Sequence, residues 1–166
     1  MHNIDHNQSL LQQVQALLSG ERNALANAAN LCALIYAGLE QVNWAGFYFR
    51  HADELVLGPF QGKLACTRIK LGQGVCGTAA ASRQTQRIAD VCSFSGHIAC
   101  DSDSRSELVV PLLHDDQVIG VLDIDAPVPD RFTAVDQELI EQLAVLWLAA
   151  SDLAELRLFS GCTRGE

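Results

Sequence analysis

Two strand-length apolar runs, residues 106–114 and 117–125, are separated only by Asp115 and Asp116. A connection that short makes the pair an antiparallel hairpin, and everything else in the chain has to pack around it. Helical periodicity occupies the two ends. Leu10, Leu11, Val14, Leu17 and Leu18 recur at helical spacing before a Ser19-Gly20 stop, and an alanine-rich second helix follows over residues 21–41. Residues 42–50 and 54–60 read as a further hairpin around His51-Ala52-Asp53, residues 63–70 as a third strand, 75–83 as a short helix of small residues and 86–90 as a brief strand. Pro127 and Pro129 end the sheet, and Thr133 caps an amphipathic helix that runs to about Leu158. The order predicts an α+β fold in a single domain spanning 1–166, with a central, largely antiparallel sheet and helices packed on one face. Residues 1–41 supply the N-terminal helices, 42–158 the sheet core and closing helix, and 159–166 a tail.

Of the 166 residues, 49% are hydrophobic and 19% charged, enough to bury one ordinary core. The net charge of −9 repels phosphate backbones and argues against nucleic-acid binding. No apolar run approaches the ~18 residues that cross a bilayer, so no membrane partner is expected. The polar start Met1-His2-Asn3-Ile4 lacks the order of a signal peptide, and a cytoplasmic location is the expectation. In a reducing compartment the six cysteines are not a disulfide framework, which leaves metal binding, thiol chemistry or inert thiols. Cys32 lies on the apolar stripe of the second helix and reads as a small buried hydrophobe; Cys162 reads as a spare thiol of the tail.

Three cysteines stand out by position. Cys66 lies in a strand or at its end, Cys76 opens the short helix after Gly74, and Cys100 closes a polar, irregular stretch over 92–105. A thiol at a helix N-terminus meets the positive end of the dipole, which lowers its pKa. On spacing alone, ordinary small residues of a half-apolar chain are the better-supported reading. Zinc is the competing functional reading, through His97 and Cys100 with Cys66 or Cys76. The closely spaced ligand pairs of structural zinc sites are absent, so neither metal nor cofactor is expected. Strand alternation places Ile119, Val121, Asp123 and Asp125 on one face, and the hairpin brings Glu107 near Asp125. Three acids converging away from solvent would keep at least one of them protonated near neutral pH; a solvated sheet face is the plain alternative. Trp44 and Tyr48, four apart on a strand, share a face that could wall a pocket for an apolar group. Gly72 and Gly74 match neither phosphate-loop pattern.

The words around these residues resemble a known family. They are Gly62-Lys63-Leu64-Ala65-Cys66-Thr67, Gly72-Gln73-Gly74-Val75-Cys76-Gly77, Gly96-His97-Ile98-Ala99-Cys100-Asp101, Ser104-Arg105-Ser106-Glu107 and Gly120-Val121-Leu122-Asp123-Ile124-Asp125. Together with Asn43-Trp44-Ala45-Gly46-Phe47-Tyr48 they are similar to the free methionine-(R)-sulfoxide reductases, enzymes built on a GAF domain. The resemblance implies thiol-dependent reduction of free L-methionine (R)-S-oxide without a cofactor. It makes Cys100 the nucleophile, Cys66 the principal resolving cysteine and Cys76 an auxiliary one. It assigns Glu107, Asp123 and Asp125 to the sulfoxide oxygen and the amino group, and Trp44 and Tyr48 to the methyl end. Cys92 and Ser95 depart from the family pattern without removing a catalytic group. The partners implied are free methionine sulfoxide, a thioredoxin-type reductant and, as an option, a second copy in a homodimer. A non-catalytic GAF module that senses a small ligand is the rival reading.

Overall fold

The structure, a computed structural model, describes residues 2–94, 103–154 and 156, with the backbone alone for residues 2–6. Two helices, α1 (His2–Leu18) and α2 (Ala24–Gly38), lead into β1 (Trp44–His51), β2 (Glu54–Gly62) and β3 (Arg68–Lys70). Then come α3 (Gly74–Ser82), β4 (Gln86–Ile88), a 3-10 turn over Val91–Ser93, β5 (Ser106–His114), β6 (Gln117–Ala126) and α4 (Ala134–Ala150). The six strands form one sheet in the order β3-β2-β1-β6-β5-β4, with every neighbouring pair antiparallel.

The β5–β6 hairpin closes as its two-residue connection requires. Asp115 and Asp116 have φ of 48° and 57°, the double left-handed geometry that matches the twist of the flanking strands. Along β6, Leu122 and Ile124 turn to the core formed with α1, α2 and α4, where Leu31, Ile35, Phe47 and Trp147 are fully buried. Trp147 packs its ring 4.9 Å from that of Phe47 and donates its indole N–H to the Ala24 carbonyl at 3.2 Å. The helices begin where capping chemistry allows. Asn23 Oδ1 accepts from Ala26 N at 2.9 Å, and Thr133 and Asp136 form a reciprocal capping box that Arg131 joins at 3.2 Å.

The fold class follows the expectation, with the three long helices on one face of the sheet. The short helix α3 takes the opposite face, where Val75, Cys76 and Ala79 pack against Tyr48, Val109 and Val121. Three local differences have physical causes. Strand β3 keeps only three residues, and the stretch that carries Cys66 leaves the sheet as a loop. Helix α4 stops at Ala150, short of Leu158, because Ser151 turns extended and Asp152 bridges to Asn23, with Asp152 N donating to Arg22 O at 2.6 Å. In β6 the register skips from Gly120 to Val118, so Ile119 is the extra residue of a bulge. It joins the long-helix core instead of the Asp123 face.

Cys32 is fully buried, donates to the Pro59 carbonyl at 3.3 Å, and burial pushes its thiol up to about 12, the properties of an inert core thiol. Cys162 lies outside the described residues. Among those described, no helix is long and apolar enough to cross a membrane.

Asp115 and Asp116 both sit where Asn-Gly is the favoured pair. Replacing them (Asp115→Asn with Asp116→Gly) is expected to raise stability by about 0.5–1 kcal/mol in urea unfolding. The loss of the exposed Arg83–Asp116 contact at 3.4 Å is too small to cancel the gain.

Candidate active site

The face of the sheet under α3 is read most directly by register. Glu107 on β5 lies opposite Asp125 on β6, and Asp125 lies opposite Trp44 on β1. The next row places Val109, Asp123 and Gly46 side by side, and the one after it Val121 and Tyr48. The hairpin with its bulge thus brings the three acids together, and the pairing of β1 with β6 adds both aromatics to the patch. Helix α3 lowers Cys76 onto it. Its Sγ and one carboxylate oxygen from each of Glu107 and Asp123 lie within 4.8 Å of one another, with Cys76 Sγ 3.9 Å from Glu107 Oε1. Cys76, Glu107 and Asp123 are 3%, 8% and 6% exposed, while Asp125 is only partly buried.

Burial dominates the electrostatics. It pushes Glu107 well above the ordinary carboxylate range, and the charges of Asp123 and Asp125 push it further. Burial raises Asp123 to about 7, against hydrogen bonds with Cys76 and Glu107 that pull the other way. A hydrogen bond between two carboxyl groups needs a proton held between them, so the pair retains one near neutrality. Asp123 Oδ1 is buried and has no hydrogen-bond partner, an acceptor left over for something else.

The same burial reverses one expectation. Cys76 does stand in the first turn of α3, but desolvation first, then the charges of Asp123 and Glu107, raise its thiol well above the usual value. The helix dipole is the weaker influence here, and Cys76 is a protonated thiol rather than an activated one.

The aromatic residues do more than line a wall. Trp44 and Tyr48 stack with ring centres 5.9 Å apart, and Phe60 also stacks on Trp44 at 5.4 Å. Two glycines make room for the indole: a Cβ on Gly46 would sit 2.3 Å from Trp44 Cη2, and one on Gly62, whose φ is +122°, 2.7 Å from Trp44 Cδ1. Both aromatics then reach past the sheet. Trp44 Nε1 donates to the Lys63 carbonyl at 3.1 Å, and the Tyr48 hydroxyl donates to the Cys66 carbonyl at 3.0 Å. The pair therefore pins the loop that carries Cys66. No spacing signal in the sequence marks that role, because it is made by backbone carbonyls.

Cys66 is disulfide-bonded, whereas Cys32, Cys76 and Cys92 are free. Cys100, His97 and most of the irregular stretch lie outside the described residues. Its two ends are tied down. Val91 N donates to Arg105 O at 2.8 Å, Arg105 Nη2 pairs with Asp90 at 3.3 Å, and Asn43 Nδ2 donates to Ser104 Oγ at 3.3 Å. Lys63, on the Cys66 loop, forms an ion pair with Asp103. Cys92 is exposed on the 3-10 turn. Among the described residues, Cys76, Glu107 and Asp123 are the set that could hold a metal, and the grouping around His97 and Cys100 lies outside them.

A GAF domain model matches residues 8–147. The chain is 56% identical over 134 residues to the free methionine-R-sulfoxide reductase of Escherichia coli, covering 81% of each protein. It superimposes on the Staphylococcus aureus enzyme of that type in its reduced form with a TM-score of 0.84 at 48% identity, over 87% of this chain and 94% of the other. The match to the Neisseria meningitidis free methionine-R-sulfoxide reductase, solved in complex with its substrate, has a TM-score of 0.84 at 42% identity and covers 87% of each chain.

The raised acids carry a pH signature. An acid whose pKa is higher folded than unfolded holds its proton longer in the native state, so stability falls as pH rises between the two values. With Asp123 at about 7 against ~3.9 unfolded, stability should decline over that window by up to about 1.4 kcal/mol per pH unit. Asp123→Asn is expected to flatten that decline and to be the more stable protein at pH 8, measured by denaturant unfolding at pH 5 and pH 8.

Proposed function

We propose that this chain, which belongs to the free methionine-R-sulfoxide reductase family of GAF-domain proteins, reduces free L-methionine (R)-S-oxide to L-methionine. The observation that carries the reading is the buried Glu107–Asp123 pair with its retained proton, next to an unpartnered buried carboxylate oxygen. A sulfoxide oxygen is a poor leaving group until it accepts a proton or a strong hydrogen bond, and a carboxylic acid kept neutral at pH 7 supplies one. The partly exposed Asp125 takes the ammonium group of the substrate. Trp44 and Tyr48 meet its methyl end.

Cys100 is the nucleophile. Its thiolate attacks the sulfoxide sulfur, the oxygen passes to the cysteine, and methionine departs with its sulfur reduced. What remains is a Cys100 sulfenic acid. The Cys66 thiol then attacks that sulfur, water leaves, and a Cys66–Cys100 disulfide forms. Two observations support this pairing. Cys66 is disulfide-bonded while three of the other cysteines are free. The Lys63–Asp103 ion pair also ties together two segments in which each cysteine lies three residues from an ion-pair partner. Cys76, buried and protonated, acts as an auxiliary thiol only when α3 exposes it. A thioredoxin-type dithiol returns the disulfide to two thiols by exchange and leaves oxidised itself.

The test is methionine release from each epimer of free methionine sulfoxide with a dithiol reductant. Turnover of the R epimer is expected, lost by at least a thousandfold in Cys100→Ser. Cys66→Ser should keep the first reduction but stall when thioredoxin is the reductant. No release from either epimer by folded, reduced protein would overturn the reading in favour of a ligand-sensing GAF module.

A further inference from the structure

We propose that Cys76, Glu107 and Asp123 form a reversible binding site for a zinc-class divalent cation, which blocks turnover by occupying the place of the sulfoxide oxygen. The inhibitory half of this inference rests on the reading above; the metal site itself does not. The donor set is one sulfur and two carboxylates, a borderline-soft combination that favours zinc over magnesium or calcium. The three ligand atoms already lie within 4.8 Å of one another. Zinc bonded at about 2.3 Å to sulfur and about 2.0 Å to oxygen draws such atoms to roughly 3.5 Å, a closing of about 1 Å that side-chain rotation can supply.

Two further observations point to a cation. Asp123 Oδ1 has no hydrogen-bond partner although its residue is only 6% exposed. Among the described residues, neither Glu107 nor Asp123 has a lysine, arginine or histidine in ion-pair contact. Glu107 and Asp123 thus face one another and a thiol, with no positive side chain among the described residues paired to either. Binding releases the protons these groups hold and leaves a fourth position for water, as in zinc sites that are not closed. With three protein ligands and an open position the site is not closed, so a chelator is expected to remove the ion and restore the enzyme. The site is made entirely by β5, β6 and α3, none of which carries Cys66.

The test uses a redox-inert chain in which Cys66, Cys92, Cys100 and Cys162 are each replaced by serine, leaving Cys32 and Cys76. Cobalt(II) is the probe, because one thiolate ligand gives a sulfur charge-transfer band and a tetrahedral site gives intense visible bands. One cobalt per chain is expected, displaced by zinc. Its sulfur band should disappear in Cys76→Ser and survive Cys32→Ala. Asp123→Asn should weaken binding at least tenfold and serves as the second variant if Cys76→Ser does not fold. Free methionine sulfoxide should raise the apparent Kd for the metal. No cobalt–sulfur band, or one that survives Cys76→Ser, overturns the site; binding without competition from methionine sulfoxide overturns the blocking role. These spectra need no turnover. A parent protein that released no methionine would therefore remove the reductase reading while the cobalt result still decided the metal site.

Discussion

The pairing of Glu107 with Asp125 across β5 and β6 is the constraint on which the rest of the site depends. It is set by a turn of two residues together with the one-residue bulge at Ile119, and a strand has only two faces. One register places Glu107, Asp123 and Asp125 under α3 while Leu122 and Ile124 enter the long-helix core. A slip by one residue would exchange those sets and bury the acids among leucines. The extra residue Ile119 sits between the turn and these rows and sets their register: without it Glu107 would face Ile124 instead of Asp125.

That arrangement opposes stability. Three carboxyl groups and a thiol are held where water would otherwise separate them, and desolvation raises Glu107, Asp123 and Cys76 together. The remainder of the molecule offsets the strain by ordinary means: a continuous apolar core on the other face, Trp147 satisfied at its indole N–H, and helix starts that meet their capping requirements. The two faces of one sheet therefore have different tasks. One is packed for cohesion, and the other carries polar groups that no core would choose.

Much of this was legible in the chain. Alternation along 121–125 gave the facing of the two aspartates, and the short Asp115-Asp116 connection brought Glu107 near Asp125. The bulge at Ile119, which makes the two direct partners and turns Ile119 to the other face, left no mark in the pattern. Trp44 and Tyr48 shared a face as their spacing required. Other features were not legible, for identifiable reasons. The raised thiol of Cys76 depends on which carboxylates sit beside it in space, whereas position in a helix suggests the opposite shift. The end of α4 depends on a bridge between Asp152 and Asn23, far apart in sequence. The shortening of β3 comes with side chains from β1 capturing carbonyl groups of the loop just before it, which no pattern of residue types encodes.

That capture has a consequence for how such a molecule can change over time. Trp44 and Tyr48 are at once the wall that a substrate would touch and the hooks that hold the backbone at Lys63 and Cys66. Reshaping the wall to admit a different side chain would loosen the loop that carries a redox-bonded cysteine. Moving that loop would in turn reshape the wall. Under the proposed function, selectivity and thiol relay would thus be inherited as one mechanical unit, and a lineage that altered either would have to rebuild both.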